Sequence, residues 1–263
     1  EYKALGIEVE DNIKLVNATN PNIETIRNSI VPTQLCQVKY NTSYAPDFGV
    51  FEIGRVAKGL KSDGLVDEHK MLAITLFSKT KSVEKLYFEL RDMLATFTDN
   101  IKHKSLDYAP ATKAHSYEHP RNLNKIICDG SKLGTIGIVH PVVSKKLDKK
   151  ASIVFAEIDI QEFAQIANSS ISYEEPSKYP AMEIDLSFIT DKFAPIKAAI
   201  EDAKSNLVKK IEVVDTYCDG DAKSITTRIT FSHPEKTLTR EEVMDIVNTV
   251  IDKLDLQGIK LKK

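Results

Sequence analysis

The sequence is poor in cysteine. Its 263 residues include only Cys36, Cys128 and Cys218, which lie far apart and form no C-x-x-C pair. A structural zinc site needs closely spaced ligands, and a disulfide framework needs a dense, even set of cysteines. This scarcity excludes both classes of protein and favours a reducing compartment.

The chain also lacks an excess of charge of one sign and any long apolar run. Its formal net charge is -2, so no overall field would gather nucleic acid or an anionic membrane, and any RNA contact must be local. No run approaches the roughly 20 apolar residues that cross a bilayer. The N-terminus has neither the basic start nor the apolar core of a signal peptide. We therefore expect a cytoplasmic protein without membrane contact.

Signatures of catalytic, metal and cofactor sites are missing as well. There is no G-x-S-x-G motif and no G-K-[ST] phosphate loop. Gly134 and Gly137 lack the third glycine of a dinucleotide motif, so we expect them to allow close packing between strands. His115 and His119 have the spacing of a helical metal pair, but Pro120 follows directly, which favours a loop. We predict no catalytic residue, no metal and no cofactor bound by this chain.

What the sequence does contain is enough apolar residues for two globular cores, with 42% hydrophobic and 28% charged residues. Alternation of apolar residues predicts strands in the first part of the chain at 49–58, 71–77 and 153–160. An Asp-Gly turn predicts a hairpin between residues 126–128 and 132–139. Helical spacing or an N-terminal proline predicts helices at 32–40, 82–97, 141–147 and 161–167. These elements predict an α+β domain over residues 1–168, in which residues 1–16 are extended and 99–125 are irregular.

The polar stretch at residues 168–180 contains two prolines and predicts a linker at residues 169–177. A second domain over residues 178–263 follows, with strands, helices and a last short strand at 184–190, 195–205, 211–217, 224–232, 240–257 and 259–261. Thr239 and Glu242 form a capping box in front of the second helix. The order predicts a ferredoxin-like βαββαβ domain whose helices cover one sheet face and leave the other open.

The open face of this second sheet is the natural platform for RNA. Its central strand would present Thr226, Arg228 and Thr230, without the aromatic residues on which RNA-binding sheets stack bases. The basic residues that we select as RNA contacts are Lys223, Arg228, Lys236, Arg240 and Lys262, although each also fits an ordinary solvated charge. Lys209 and Lys210 are better explained as a pair at the C-terminal end of a helix, where positive charge matches the dipole.

Seven segments of the chain carry a family pattern. In the second domain they are KYPAMEIDLSF (178–188), VVDTY (213–217), KSITTRITF (223–231) and KTLTREEV (236–243). These resemble the ferredoxin-fold anticodon-binding domain at the end of bacterial phenylalanyl-tRNA synthetase β subunits. In the first domain they are NATNPNIETIRNSIVPTQL (17–35), VFEIGRV (50–56) and LGTIGIVHPVV (133–143). These resemble the catalytic-like module that precedes that domain in the same subunit.

The resemblance implies a class II synthetase-like antiparallel sheet in residues 1–168 that does not activate amino acid, and an anticodon-binding domain in residues 178–263. It implies two partners, the catalytic α subunit of an α2β2 enzyme and phenylalanine tRNA. Phenylalanine and ATP would bind the α subunit, and ATP and magnesium are expected for the complete enzyme. It also implies that the chain is the C-terminal portion of a β subunit and begins inside the catalytic-like module.

The chain departs from the family pattern at three places. Glu183-Ile184-Asp185 stands where the family has Arg-Asp, HPRNLN at 119–124 stands for HPG-R-S-A, and Leu261-Lys262 stands for a terminal Leu-Arg. The first departure implies that one basic contact is missing. Two alternatives stay open, a free-standing RNA-binding or regulatory paralogue of the β subunit and a ferredoxin-like small-molecule sensor.

Overall fold

A computed structural model describes residues 2–8, 13–18, 24–170, 175, 177–203, 205–219 and 222–262. The chain forms two compact units, Glu1–Ile171 and Ser172–Lys263, which are called the N-terminal unit and the C-terminal unit below. Residues 171–174 and 176 of the predicted linker lie outside the described part. No helix in the described ranges is both long enough and apolar enough to cross a membrane.

The N-terminal unit is built on a six-stranded antiparallel sheet. Its helices are α1 (Tyr2–Leu5), α2 (Val31–Asn41), α3 (Val83–Lys102), α4 (Pro141–Leu147) and α5 (Ile160–Gln165). Its strands are β1 (Ile13–Lys14), β2 (Thr25–Ile26), β3 (Asp47–Leu60), β4 (Val66–Ser78), β5 (Asp107–Pro110), β6 (Glu118–Cys128), β7 (Ser131–Val139) and β8 (Ser152–Asp159). β1 pairs with β2, and the large sheet has the order β3-β4-β8-β7-β6-β5.

Both faces of the large sheet are covered at its inner strands, whereas Phe51 and Ile53 of the edge strand β3 are exposed. Because side chains alternate along a strand, Ile153 and Phe155 of β8 join a core with α1, α2 and α4, whereas Val154 and Ala156 join a core with α3 and α5. α3 contributes the predicted stripe of leucines to the second core, and Ser82 caps its N-terminus. The sheet is therefore the middle layer of three.

Most of the predicted elements of this unit are confirmed, and two predictions are wrong. Residues 2–5 are helical instead of extended, and the stretch 99–125 contains the end of α3, all of β5 and most of β6. β5 is an edge strand, where Pro110 is tolerated, and Pro120 lies where the β6 register shifts between Glu118 and Leu123. Prolines and polar residues at a sheet edge weaken the alternation on which the prediction relied.

A buried lysine ties α3 to α5. Lys102 is 8% exposed, and its ammonium donates to the carbonyl oxygens of Ala164 at 3.2 Å and Ile166 at 2.7 Å. The same ammonium lies 5.5 Å from the centroid of the Phe163 ring. The backbone carbonyl of Lys102 accepts from the Ser169 N–H at 2.9 Å, so one residue holds three parts of the chain.

A buried carboxylate lies in the other core. Glu157 Oε1 accepts from the Ile30 N–H at 2.7 Å and from the Ser29 hydroxyl at 3.1 Å, and Ser29 Oγ lies 3.0 Å from the Tyr117 hydroxyl. Burial raises the pKa of Glu157 above its ordinary range. The network connects β8 to the N-terminus of α2 and to the residue before β6.

The C-terminal unit has the predicted ferredoxin-like order. Its elements are β9 (Met182–Phe188), α6 (Phe193–Asp202), β10 (Val208–Asp219), β11 (Ala222–Phe231) and α7 (Arg240–Leu256). The three strands have the order β10-β11-β9 and are antiparallel. The predicted last strand is a single bridge between Phe188 and Leu261, flanked by backbone hydrogen bonds from Ile189 N to Lys260 O (2.8 Å) and from Lys262 N to Ser187 O (2.7 Å).

α6 and α7 cover one face of this sheet. Their buried apolar residues pack on the apolar side chains of β11, namely Ile225, Ile229 and Phe231. The predicted capping box is confirmed, since Thr239 and Glu242 each bond the other's backbone N–H. The predicted helix 195–205 begins and ends earlier, so Lys209 and Lys210 lie in β10, and their explanation as a helix C-terminal pair is wrong.

Candidate nucleic-acid interface

The sheet face that α6 and α7 leave uncovered presents the outward residues of β11, as predicted. Thr226 lies opposite Ser187 of β9, and their hydroxyl oxygens are 2.8 Å apart. Arg228 lies opposite Asp185. We call this surface the open face.

Arg228 is the centre of an ion-pair cluster on the open face. Its guanidinium donates to both carboxylate oxygens of Asp185 at 2.7 and 2.8 Å and lies 3.3 Å from Glu183. These contacts lower the pKa of Asp185 and raise that of Arg228. Glu212 of β10 is the register partner on the other side. The charge of Arg228 is therefore already compensated by the protein.

Two other predicted contacts are paired in the same way. Lys223 Nζ donates to Asp191 at 2.8 Å, which raises the pKa of the lysine and lowers that of the aspartate. Lys236 pairs with Glu242, and this contact, together with the Thr239 N–H, lowers the pKa of Glu242 to about 2. Binding RNA through these lysines would require the release of a carboxylate partner.

Lys262 and Arg240 differ from the other three. Lys262 reaches over the open face, where its ammonium lies 5.0 Å from the centroid of the Tyr217 ring and donates to Ser224 Oγ at 3.4 Å. Tyr217 is 48% exposed. Arg240 is exposed at the start of α7 and has no ion pair with the residues that the structure describes. Among the residues that the structure describes, neither Lys262 nor Arg240 forms an ion pair with an acid, so RNA could bind them without displacing one.

Tyr217 is a candidate that sequence reasoning missed. Its register partner is Ser224, so it lies on the same face as Thr226 and Arg228. The strand register shifts between Val213 and Asp215, which means that the face of Tyr217 cannot be read by counting along VVDTY. The sheet therefore does offer an exposed aromatic ring, on the strand beside β11.

The five predicted contacts do not form one patch. Lys223 and Lys262 lie near the start of β11, whereas Lys236 and Arg240 follow Phe231 at its other end. At about 3.4 Å per residue, the two ends of the stretch from Lys223 to Phe231 are about 27 Å apart. The structure brings together Lys262, Tyr217 and Ser224 at one end.

Comparison with known families decides the family to which the chain belongs. A sequence model described as the phenylalanyl tRNA synthetase beta chain CLM domain matches residues 2–160, and one described as the ferredoxin-fold anticodon binding domain matches residues 177–262. The chain belongs to the phenylalanyl-tRNA synthetase β chain family. The family resemblance and the ferredoxin-like fold inferred from the sequence are confirmed.

Curated relatives of this β chain family agree along nearly the whole chain. The phenylalanine-tRNA ligase beta subunit of Bacillus subtilis (strain 168) is 26% identical, over 97% of this chain and 34% of its own length. That of Bacillus thuringiensis subsp. konkukian is 28% identical over 99% and 35%, and that of Aquifex aeolicus is 23% identical over 99% and 34%. The chain spans about a third of the length of the curated relatives that it matches.

The glycines of the CLM domain serve close packing, as predicted. A Cβ atom on Gly134 would lie 1.9 Å from the backbone oxygen of Glu157, and one on Gly137 would lie 2.7 Å from the Leu123 side chain. β7 can approach β8 and β6 only because these side chains are absent. The glycines need no phosphate ligand to explain them.

The histidines of the CLM domain do not form a helical pair. His115 precedes β6 and stacks on Tyr117 with ring centroids 5.2 Å apart. His119 is in β6 instead of the expected loop, and its Nδ1 accepts from the N–H groups of Arg121 and Asn122, both at 3.1 Å. The two rings are therefore fixed by different contacts.

In the anticodon-binding domain, Lys209 and Lys210 line a cleft of about 890 Å³ together with His233. Lys210 pairs with Glu212 at 2.7 Å, and Glu175 lines the same cleft. Basic and acidic groups are mixed here, so the cleft offers no strong attraction to one sign of charge.

Proposed function

We propose that this chain is a portion of the β subunit of phenylalanine-tRNA ligase, in which the C-terminal unit binds the anticodon region of phenylalanine tRNA. The observation that carries the proposal is the tandem match of a CLM domain and an anticodon-binding domain, on a chain that folds into two units. We place the functional boundaries at residues 1–168 and 178–263, joined by a linker at 169–177.

The N-terminal unit supports a catalytic α subunit and performs no aminoacylation itself. A class II active site needs one face of its sheet free for ATP and amino acid. In the described part of this unit, packed side chains fill both faces of the inner strands β4, β8 and β7, and Glu157 is bound to Ser29 and Ile30. We therefore assign phenylalanine, ATP and magnesium to the α subunit of a complete, cytoplasmic α2β2 enzyme.

On the C-terminal unit, the RNA contact is centred on Tyr217 and Lys262. An exposed aromatic ring beside an ammonium group can stack one base and bind the adjoining phosphate. Arg228 and Lys223 contribute less than their charge alone predicts, because carboxylates already neutralise them. Lys236 and Arg240 are the more distant contacts.

The aminoacylation part of the proposal is tested by the chain alone. Mixed with ATP, magnesium and phenylalanine, the chain alone should release no pyrophosphate. A higher concentration of the chain should not restore the activity that requires the α subunit. Robust pyrophosphate release by the purified chain would contradict the assignment of the active site to the α subunit.

The RNA part is tested by titrating the chain with fluorescently labelled phenylalanine tRNA. Tyr217→Ala should weaken binding by about 1 to 3 kcal/mol, the usual contribution of one stacked base. Lys262→Gln should reduce the slope of log Kd against log salt by about one, which corresponds to the loss of one phosphate contact. Lys197→Gln is the matched control, because Lys197 is exposed on α6 and pairs with Glu201 at 3.6 Å. An anticodon stem-loop should compete, and failure of both variants to change the affinity would exclude the open face.

A further inference from the structure

One surface of the N-terminal unit is rich in hydrogen-bond donors and poor in acids. Glu118 is the only acidic residue in residues 109–127, and residues 131–147 contain none. Glu118 is 2% exposed, and its carboxylate accepts from the N–H groups of Ala114 at 2.6 Å and His115 at 2.8 Å. This acid therefore shapes the loop before β6 and does not offset the exposed charges of Lys113 and Arg121.

Two imidazoles beside these charges are held as donors. His119 Nδ1 accepts from two backbone N–H groups, and His140 Nδ1 accepts from the Val142 N–H at 3.2 Å. A ring whose Nδ1 accepts a hydrogen bond carries its proton on Nε2, so each Nε2–H is left to donate outward. A metal would need the Nε2 lone pair instead. Burial, together with nearby Lys113 and His119, lowers the pKa of His140 and so favours the neutral form of that ring.

An aromatic pocket adjoins the donors. It has a volume of about 290 Å³ and is lined by Tyr87 and Phe88 of α3 and by Arg121 and Asn122 of β6. Phe88 is 52% exposed. Arg121 belongs to both features, because its backbone N–H binds His119 while the residue lines the pocket.

Two acidic residues contact this surface among the residues that the structure describes. Glu84 lines the aromatic pocket, and the backbone of Glu8 bonds Ser116. The surface thus combines several donors, two positive charges and planar rings at the edge of the sheet. RNA has complementary groups, since its phosphates only accept hydrogen bonds and its bases stack on aromatic rings.

We propose that this surface, formed by Lys113, His119, Arg121, His140 and the pocket of Tyr87 and Phe88, binds the RNA backbone, with one base against the pocket. It is a second RNA contact, in a different unit from the open face. It rests on the proposed function only in taking tRNA as the RNA that binds.

The first test removes the two charges. Lys113→Gln/Arg121→Gln in the full chain should reduce the slope of log Kd against log salt by about two for labelled phenylalanine tRNA, one for each phosphate contact. The control is Lys70→Gln/Lys132→Gln, which makes the same charge change at the opposite end of the sheet, where β4 and β7 meet the Ile158–Asp159 end of β8. An unchanged slope with the first pair would overturn the proposal.

The second test locates the contact without changing the protein. Diethyl pyrocarbonate acylates imidazole nitrogen, and bound tRNA should slow its reaction at His119 and His140. His103, exposed at the C-terminal end of α3, is the internal control and should react at the same rate with and without RNA. Equal reaction at His119 and His140 with and without tRNA would also overturn the proposal.

The outcomes separate this inference from the anticodon proposal. If Tyr217→Ala and Lys262→Gln weaken tRNA binding and Lys113→Gln/Arg121→Gln does not, the second contact is wrong and the anticodon proposal stands. If an unrelated RNA of equal length binds equally well and loses slope only with Lys113→Gln/Arg121→Gln, the second contact stands and the anticodon proposal is wrong. If the chain binds neither RNA, both are wrong.

Discussion

The two units of this chain differ in how many faces of the β-sheet are covered by helices. In the N-terminal unit, helices cover both faces of the inner strands of the six-stranded sheet, and polar groups such as Glu157 are buried in hydrogen-bonded networks. In the C-terminal unit, α6 and α7 cover one face, and charges such as Arg228 and Asp185 pair across strands on the other. A sheet covered on both faces can offer a ligand only its edges, whereas a sheet with one free face can offer that face.

The largest expected effect comes from filling the space between β7 and β8. Gly134→Ala places a Cβ atom 1.9 Å from a backbone oxygen that cannot move without disturbing the strand pair. It should destabilise the N-terminal unit by about 3 kcal/mol or more. Thermal unfolding followed by circular dichroism measures the loss, and hydrogen exchange assigns it to this unit.

Gly49→Ala is the matched control for that substitution. Its Cβ atom would lie 2.8 Å from Leu76 Cδ2, which is the end of a flexible side chain. The free energy of unfolding should change by about 1 kcal/mol or less. An equal loss of unfolding free energy in the two variants would contradict this, because it would show that the β7–β8 backbone accommodates a Cβ atom as easily as the Leu76 side chain does.

Removing the buried carboxylate should have the next largest effect. Glu157→Leu leaves the Ile30 N–H without its acceptor and should destabilise the N-terminal unit by about 1 to 3 kcal/mol. Glu157→Gln keeps an acceptor and should be far milder. Because the folded pKa of Glu157 is raised above 4.5, the wild type loses stability as the pH rises through that pKa, and the glutamine variant does not. Urea unfolding at pH 4.5 and 7.5 measures this, and a pH-independent difference between the two proteins would contradict it.

A smaller effect is expected in the core of the C-terminal unit. The Thr227 hydroxyl is fully buried and has no hydrogen-bond partner among the described residues. Thr227→Val should therefore stabilise this unit by about 1 kcal/mol. Thr226→Val is the control, since the Thr226 hydroxyl bonds Ser187 on the open face and its loss brings no gain. A lower melting temperature for Thr227→Val would show that the hydroxyl is satisfied.

The smallest effects concern pH, and they have opposite directions in the two units. Hydrogen bonds to Asp159 and Asp67 raise the pKa of His69 in the N-terminal unit above 6.5, so their contribution is present below pH 6.5 and is lost as pH rises through the raised pKa. In the C-terminal unit the pKa of Glu242 is lowered from 4.5 to about 2, so its contribution is present above pH 4.5 and is lost as pH falls towards 2.

His69→Gln should abolish the loss of stability that the N-terminal unit shows as the pH rises through the pKa of His69. Glu242→Gln should abolish the loss of stability that the C-terminal unit shows as the pH falls from 4.5 towards 2. Hydrogen exchange between pH 5 and 9 measures the first, and circular dichroism between pH 2 and 5 measures the second. Parallel pH profiles for each variant and the wild type would contradict the assignments.

Local patterns were enough to predict most elements of the fold. The Asp129-Gly130 turn, the leucine stripe of α3 and the Thr239 capping box depend on residues close together in the sequence, and each is present as expected. β5 and the start of β6 were missed because edge strands carry prolines and polar residues. The end of α6 was missed by a few residues, which moved Lys209 and Lys210 into a strand.

The candidate site was harder to predict, because it depends on which charges meet across strands. Lys223, Arg228 and Lys236 are basic in the sequence, but their partners Asp191, Asp185 and Glu242 are brought to them by the fold. The bulge in β10 decides the face of Tyr217 and leaves no clear mark in the local alternation. The RNA contacts on both units remain predictions.

Lys102 has a mechanical consequence. Tension on the chain beyond Ser169 would act on the hydrogen bond from the Ser169 N–H to the Lys102 carbonyl oxygen as well as on the covalent chain. The ammonium of Lys102 links α3 to the carbonyl oxygens of Ala164 and Ile166. α3 and α5 would therefore bear the tension together, and residues 164–169 would not detach one at a time. In a single-molecule pulling experiment, Lys102→Met should lower the force at which residues 164–169 detach from α3.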